Sequence, residues 1–147
     1  MSCALDPKIL WLTEGGCVSL TATARSIPGT LRQEILIDGR HQLMTDQPER
    51  LGGEGTAPAP HELFPAALAG CVASTLVMYA RTKEWDLGEV TVGVDYDHDS
   101  TPRRFEIDVG FTADLDPAQL KRLEKVAAAC PLRRSIETGI EFVEHIG

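Results

Sequence analysis

From Ala66 to Ala80 the chain carries no charged residue, and its apolar positions occupy every face of a helix rather than one stripe. A helix that is apolar all round is buried on all sides. The uncharged run is also shorter than the ~20 residues needed to span a bilayer. The sequence therefore predicts a central core helix, with Cys71 in its middle. A glycine- and proline-punctuated loop (Gly52, Gly53, Gly55, Pro58, Pro60) delivers the chain into it. One modest sheet covers one or two sides of such a helix. The remaining cover is expected from a second copy of the chain, in a homodimer.

At 147 residues the chain is long enough for one domain with a real core, and residues 1–147 are read as a single domain. Its hydrophobic content of 43% and charged content of 24% are globular values. The net charge of -8 argues against nucleic acid and against an anionic membrane surface, since both demand a basic patch. The opening MSCALDPKILWL lacks the long apolar run of a signal peptide. A cytoplasmic, reducing location is expected, with Cys3, Cys17, Cys71 and Cys130 as thiols unless they cycle in catalysis. No C-x-x-C pair occurs among them, which argues against a zinc site.

The order of elements points to an α+β fold. Ile9–Leu12 reads as a short edge strand. Cys17–Ala24 alternates and suits a half-buried strand. Asp38-Gly39, between two apolar runs in Gln33–Thr45, signals a hairpin. The core helix starts near Pro60 and runs to about Lys83. Pro65 lies inside it, which predicts a short first helix or a bend there. Val90–Asp97 and Arg103–Ala113 form a second hairpin. Asp116-Pro117 caps a second long helix that ends at Cys130-Pro131. A short helix follows to Thr138, with Gly139 as its cap. Ile140–Ile146 alternates and reads as a last strand. Strands in groups, as here, fit α+β rather than a doubly wound sheet.

Few residues invite chemistry. Cys71 on an apolar helix reads either as a small buried hydrophobe or as a nucleophile. Cys130, directly before Pro131, stands at the N-cap of the next helix. The helix dipole, with Arg133 and Arg134 nearby, favours a thiolate there; the alternative is a cysteine that merely closes a helix. From the residues alone, Cys130 is the more reactive of the two. Glu62 compensates the dipole at the start of the core helix. It lies nine positions before Cys71, on the opposite face of an unbroken helix. His41, His61, His98 and His145 show no ligand spacing, and no G-K-[ST] follows the glycines. Cys3 and Cys17 have no chemical context.

G-G-E-G-T-A-P-A-P-H-E-L-F-P-A-A-L-A-G-C, followed 59 positions later by the Cys130 of A-A-A-C-P-L-R-R, resembles the OsmC/Ohr family of osmotically inducible and organic hydroperoxide resistance proteins. The two anchors are specific in combination, and the resemblance extends from about Cys17 to the end. It implies an OsmC-like α+β fold: antiparallel hairpins packed around a buried central cysteine helix, in an intertwined homodimer with active sites at the subunit interface. It also implies a thiol peroxidase that reduces organic hydroperoxides in oxidative stress defence.

Carried over by position, Cys71 matches the peroxide-attacking cysteine, Cys130 the resolving one and Glu62 the active-site carboxylate. Arg50 matches the arginine of the osmotically inducible branch. In the hydroperoxide-resistance branch that arginine falls earlier, nearer Arg25 or Arg32. The implied partners are a small hydroperoxide and an external dithiol reductant, with no metal, flavin or haem. A second function class stays open: a non-enzymatic dimer that binds an apolar small ligand and whose cysteines are structural.

Overall fold

Asp38 and Gly39 both take positive φ (53° and 69°), the primed-turn geometry that matches strand twist. That turn builds the first hairpin of the computed structural model, which describes residues 20–147. Ile9–Leu12 and the start of the Cys17–Ala24 strand lie outside the described residues. The chain divides into two units, at Pro60 and His61.

The first unit holds a three-stranded antiparallel sheet: β1 (Ala22–Ser26), β2 (Gln33–Ile37) and β3 (His41–Thr45), in that order. Ala24 pairs with Ile35, and Ile35 with Leu43. The half-burial expected for the first strand is not met, because all five residues of β1 are exposed. After β3 the glycine loop contains a 3-10 turn, Glu49–Leu51.

The second unit is organised on α1 (Leu63–Thr82), which follows a 3-10 turn at Pro60–Glu62. No bend is needed at Pro65. It is the third residue of α1, where the backbone N–H has no intrahelical partner to lose. The 3-10 turn passes directly into α1 through Glu62, whose φ of -71° and ψ of -21° are helical.

The second hairpin joins β4 (Val90–Asp97) to β5 (Arg104–Phe111), with Val92 opposite Val109 and Val94 opposite Ile107. Alternation puts the Val, Ile, Phe and Tyr side chains on one half-buried face and Thr91, Asp95, Glu106 and Asp108 on the exposed one. α2 (Pro117–Ala128) opens with a capping box: Asp116 accepts from the Gln119 N–H, and the Gln119 side chain accepts from the Asp116 N–H. α3 (Pro131–Thr138) closes at Gly139.

The core is α1 against β4, α2 and α3. Leu68, Val72, Leu76 and Ala80 form the buried stripe, with Leu123, Val126 and Cys130. The single chain thus buries one side of α1. Ala66, Ala67, Gly70 and Ser74 are exposed, because one hairpin and two helices cover a single face. The apolar element is also longer than its uncharged core. Pro60–Thr82, 23 residues, passes for a membrane span on length and hydropathy alone, but its buried stripe packs as a core helix does.

The expected last strand is absent. Residues 139–147 have no regular structure, and Phe142, Val143 and Ile146 are exposed. Alternation marks a segment that suits a sheet, yet a strand forms only where an edge accepts its hydrogen bonds. No described strand does so.

Candidate active site

Cys71 and Cys130 come together across the packing of α1 on α2 and α3. Cys71 sits mid-helix, half-buried, between exposed Gly70 and fully buried Val72. Its carbonyl accepts from Thr75 Oγ1 at 2.8 Å, one turn on. Cys130 is fully buried. Pro131 disfavours helical geometry at the preceding residue, so Cys130 takes φ -51° and ψ 128° and leaves α2. Its N–H still donates to the Ala127 carbonyl (3.1 Å), and its own carbonyl accepts from the Arg134 N–H (3.0 Å). Cys130 is thus the last residue anchored to α2 and the first anchored to α3. That double anchoring aims its thiol at Cys71, with the two Sγ atoms 2.8 Å apart.

The electrostatics run against the sequence reading that the helix dipole, with Arg133 and Arg134, favours a thiolate at Cys130. It does occupy the α3 N-cap, but its side chain makes no cap hydrogen bond. Burial pushes its thiol up. The nearby Arg133 N–H opposes this, and the hydrogen bond donated to Cys71 raises it further. Desolvation of a full charge outweighs the dipole of an eight-residue helix. Cys130 therefore keeps its proton and donates it, while Cys71 is the acceptor.

Glu62 is exposed and sits where the 3-10 turn hands over to α1. Its backbone is helical (φ -71°, ψ -21°), so the nine positions to Cys71 run on a continuous helical count and keep the two residues on opposite faces of α1. An aromatic cluster missed in the sequence gathers around this entrance. His61 stacks on Tyr96, Tyr96 stacks on Phe105 at 4.4 Å, and Phe64 meets both Tyr96 and Phe105 edge-on. Its signal was the half-buried alternation of β4 and β5, which put Tyr96 opposite Phe105.

A cavity of about 310 Å³ lies among α1, β5 and α2. Val72, Leu76, Ile107, Val109, Phe111 and Leu123 line it, together with Glu124 and Arg133.

The three candidate arginines belong to the first unit. Arg25 forms an ion pair with Glu34, its cross-strand neighbour. Arg32 approaches Glu54 at 3.7 Å. Arg50, exposed on the 3-10 turn, pairs with no carboxylate among the described residues of its unit. Cys3 and Cys17 lie outside the described residues.

Residues 53–145 match the family model described as OsmC-like protein. No curated protein matches the chain. Solved structures do. One from Psychrobacter arcticus 273-4, proposed as an osmotic stress induced and detoxification response protein, is 25% identical with a TM-score of 0.67 over 83% of this chain and 90% of that one. An organic hydroperoxide resistance protein OsmC from Legionella pneumophila is 25% identical, with a TM-score of 0.60 over 83% and 91%. The organic hydroperoxide resistance protein OhrB of Bacillus subtilis is 26% identical, with a TM-score of 0.50 over 80% and 89%.

Proposed function

The chain belongs to the OsmC-like protein family, and from that premise we propose that it is a thiol peroxidase acting on organic hydroperoxides in peroxide-stress defence. The observation that carries this reading is the 2.8 Å approach of the Cys71 and Cys130 sulfurs. Similarity to organic hydroperoxide resistance proteins from Legionella pneumophila and Bacillus subtilis supports it.

Cys71 as thiolate attacks the terminal peroxide oxygen of ROOH. The O–O bond breaks, an S–O bond forms, and the departing alkoxide takes a proton to give ROH. Cys71 is now a sulfenic acid. The Cys130 sulfur attacks the Cys71 sulfur, an S–S bond forms, and the sulfenic oxygen leaves as water with the Cys130 proton. An external dithiol then reduces the disulfide by exchange and is itself oxidised to a disulfide. A proton held on Cys130 suits this order, because the resolving thiol must not compete in the first step.

We assign Arg50 the cation that favours the Cys71 thiolate and Glu62 the carboxylate that orients that guanidinium by charge-assisted hydrogen bonds. Glu34 engages Arg25, whereas Arg32 only approaches Glu54 at 3.7 Å and its Nε has no hydrogen-bond partner among the described residues; the match of Arg50 to the osmotically inducible branch is what favours it. We take residues 1–147 as one functional domain of a cytoplasmic homodimer. The exposed face of α1 (Ala66, Ala67, Gly70, Ser74) and the exposed Phe142 and Val143 support a second copy as cover.

The apolar cavity favours the other reading, a binding protein for a small apolar ligand whose cysteines are structural. One experiment separates the two. Reduced protein is titrated with cumene hydroperoxide, thiols are counted, and disulfides are mapped by mass spectrometry. Loss of two thiols per chain with a Cys71–Cys130 crosslink is the expected result. Retention of both thiols under excess hydroperoxide would favour the ligand-binding reading.

A further inference from the structure

Asp46 directly follows β3 and is only 1% exposed, the one carboxylate in the buried set among the described residues. A buried charge persists only where hydrogen bonds replace its water. Asp46 has four. Oδ1 accepts from the Gln47 N–H at 2.8 Å. Oδ2 accepts from the Thr56 N–H at 3.0 Å, the Thr56 hydroxyl at 3.0 Å and the Glu54 N–H at 3.2 Å. The Thr56 N–H leads in holding this carboxyl below the ordinary carboxylate value, against the opposing effect of burial.

These bonds close a ring over residues 47–56. Across the same ring the Gly55 N–H donates to the Gln47 carbonyl, and the Asp46 N–H donates to the Pro58 carbonyl. At Gly53 a Cβ would come within 1.8 Å of the Gln47 carbonyl oxygen, so the closed ring admits glycine alone there. Outside the ring, Arg32 reaches Glu54. The 3-10 turn that carries Arg50 lies within this ring. A glycine-punctuated loop is therefore pinned by one side chain.

We infer that Asp46 is a positioning residue: its carboxylate fixes the 47–56 loop in one conformation and thereby sets the place of Arg50. This rests on the role given to Arg50 above. The requirement is for a carboxylate specifically. In Asp46→Asn one amide orientation aims an NH2 group at three donors, and the other aims it at the Gln47 N–H. No rotamer satisfies the ring.

The test uses the full chain in a Cys130→Ser background, with Asp46→Asn, Arg50→Met and the double variant. Backbone amide exchange at Glu54 and Thr56, and tryptic cleavage after Arg50, report on the loop. The pH profile of Cys71 alkylation reports on the arginine. Asp46→Asn is expected to speed exchange and cleavage about tenfold or more. It should also move the alkylation profile in the same direction as Arg50→Met, with no further movement in the double variant. Unchanged exchange and cleavage would overturn the inference, as would shifts that add in full. An unmoved profile in Arg50→Met would overturn the arginine assignment instead, and is told apart because Asp46→Asn still loosens the loop. Should Asp46→Asn fail to fold, Thr56→Val, which removes one donor of the three at Oδ2, is read by the same outcomes.

Discussion

Cys130 donates its S–H to Cys71 across 2.8 Å, from a fully buried position to a half-buried one. The asymmetry assigns the two sulfurs different work. A disulfide needs S–S near 2.05 Å, so the two sulfurs have under about 1 Å left to close. In the proposed mechanism the half-buried sulfur is the one that meets the peroxide.

Serine substitutions separate these roles. Cys71→Ser is expected to reduce cumene hydroperoxide consumption to the uncatalysed rate. Cys130→Ser should leave the first oxidation intact and strand Cys71 as sulfenic acid, which excess peroxide carries on to sulfinic acid. Intact-mass spectrometry reads each added oxygen. First oxidation lost in Cys130→Ser and kept in Cys71→Ser would reverse the assignment.

Burial of the Cys130 thiol also predicts an alkaline loss of stability. Its folded value is raised, by desolvation first and by the bond to Cys71 as well. The unfolded thiol ionises near pH 8.5. The contribution is therefore complete below about pH 8.5 and is lost as pH rises through the folded value, because the unfolded chain releases its proton first. Urea midpoints at pH 7 and pH 9.5, in a phosphine reductant, should fall further in the native chain than in Cys130→Ser. Equal falls would mean that burial leaves the thiol unperturbed.

The sequence was most informative where a local rule and the packing agree. Asp38-Gly39 makes its turn, Asp116-Pro117 caps α2 with Gln119, and both hairpins form where they were read. It was least informative where the outcome depends on a partner surface. Ile140–Ile146 has the period of a strand but pairs with no described strand, and α1 is apolar on faces that one chain does not cover. Cys130 shows a third kind of limit. Its N-cap position is written in Cys-Pro, but its burial is not, and burial decides the sign of its shift. Asp46 was missed because no short motif marks it. Its only signal is an acidic residue directly after a strand, two positions before Pro48 and shortly before a run of glycines.

Leu68 is 1% exposed within the α1 stripe. Leu68→Ala should cost about 2–5 kcal/mol through lost transfer energy and a residual void. A urea midpoint shifted at constant slope checks this. A cost under about 1 kcal/mol would mean that the core around α1 collapses to fill the space.

The uncovered face of α1 and the exposed Phe142, Val143 and Ile146 lead to a prediction about assembly. Sedimentation at low micromolar concentration should give twice the chain mass. A folded species of single-chain mass would show that these apolar surfaces are left to solvent.

The arginine assignment has the sharpest pH signature. If Arg50 supplies the charge beside the Cys71 thiolate, Arg50→Met removes a neighbouring cation and disfavours the anion. The thiolate fraction then falls wherever pH lies below the value at which the variant's thiol ionises, so alkylation slows most at low pH and recovers at high pH. Arg32→Met is the control, since Glu54 already engages that guanidinium at 3.7 Å. Both are measured with Cys130→Ser, so that a single sulfur of the pair reports. A displaced profile in Arg50→Met beside an unmoved one in Arg32→Met is the expected result. The reverse pattern would transfer the role to Arg32 and imply that its pairing with Glu54 breaks during catalysis. Two unmoved profiles would mean that neither guanidinium activates Cys71, and the ligand-binding reading of the apolar cavity would then be the stronger one.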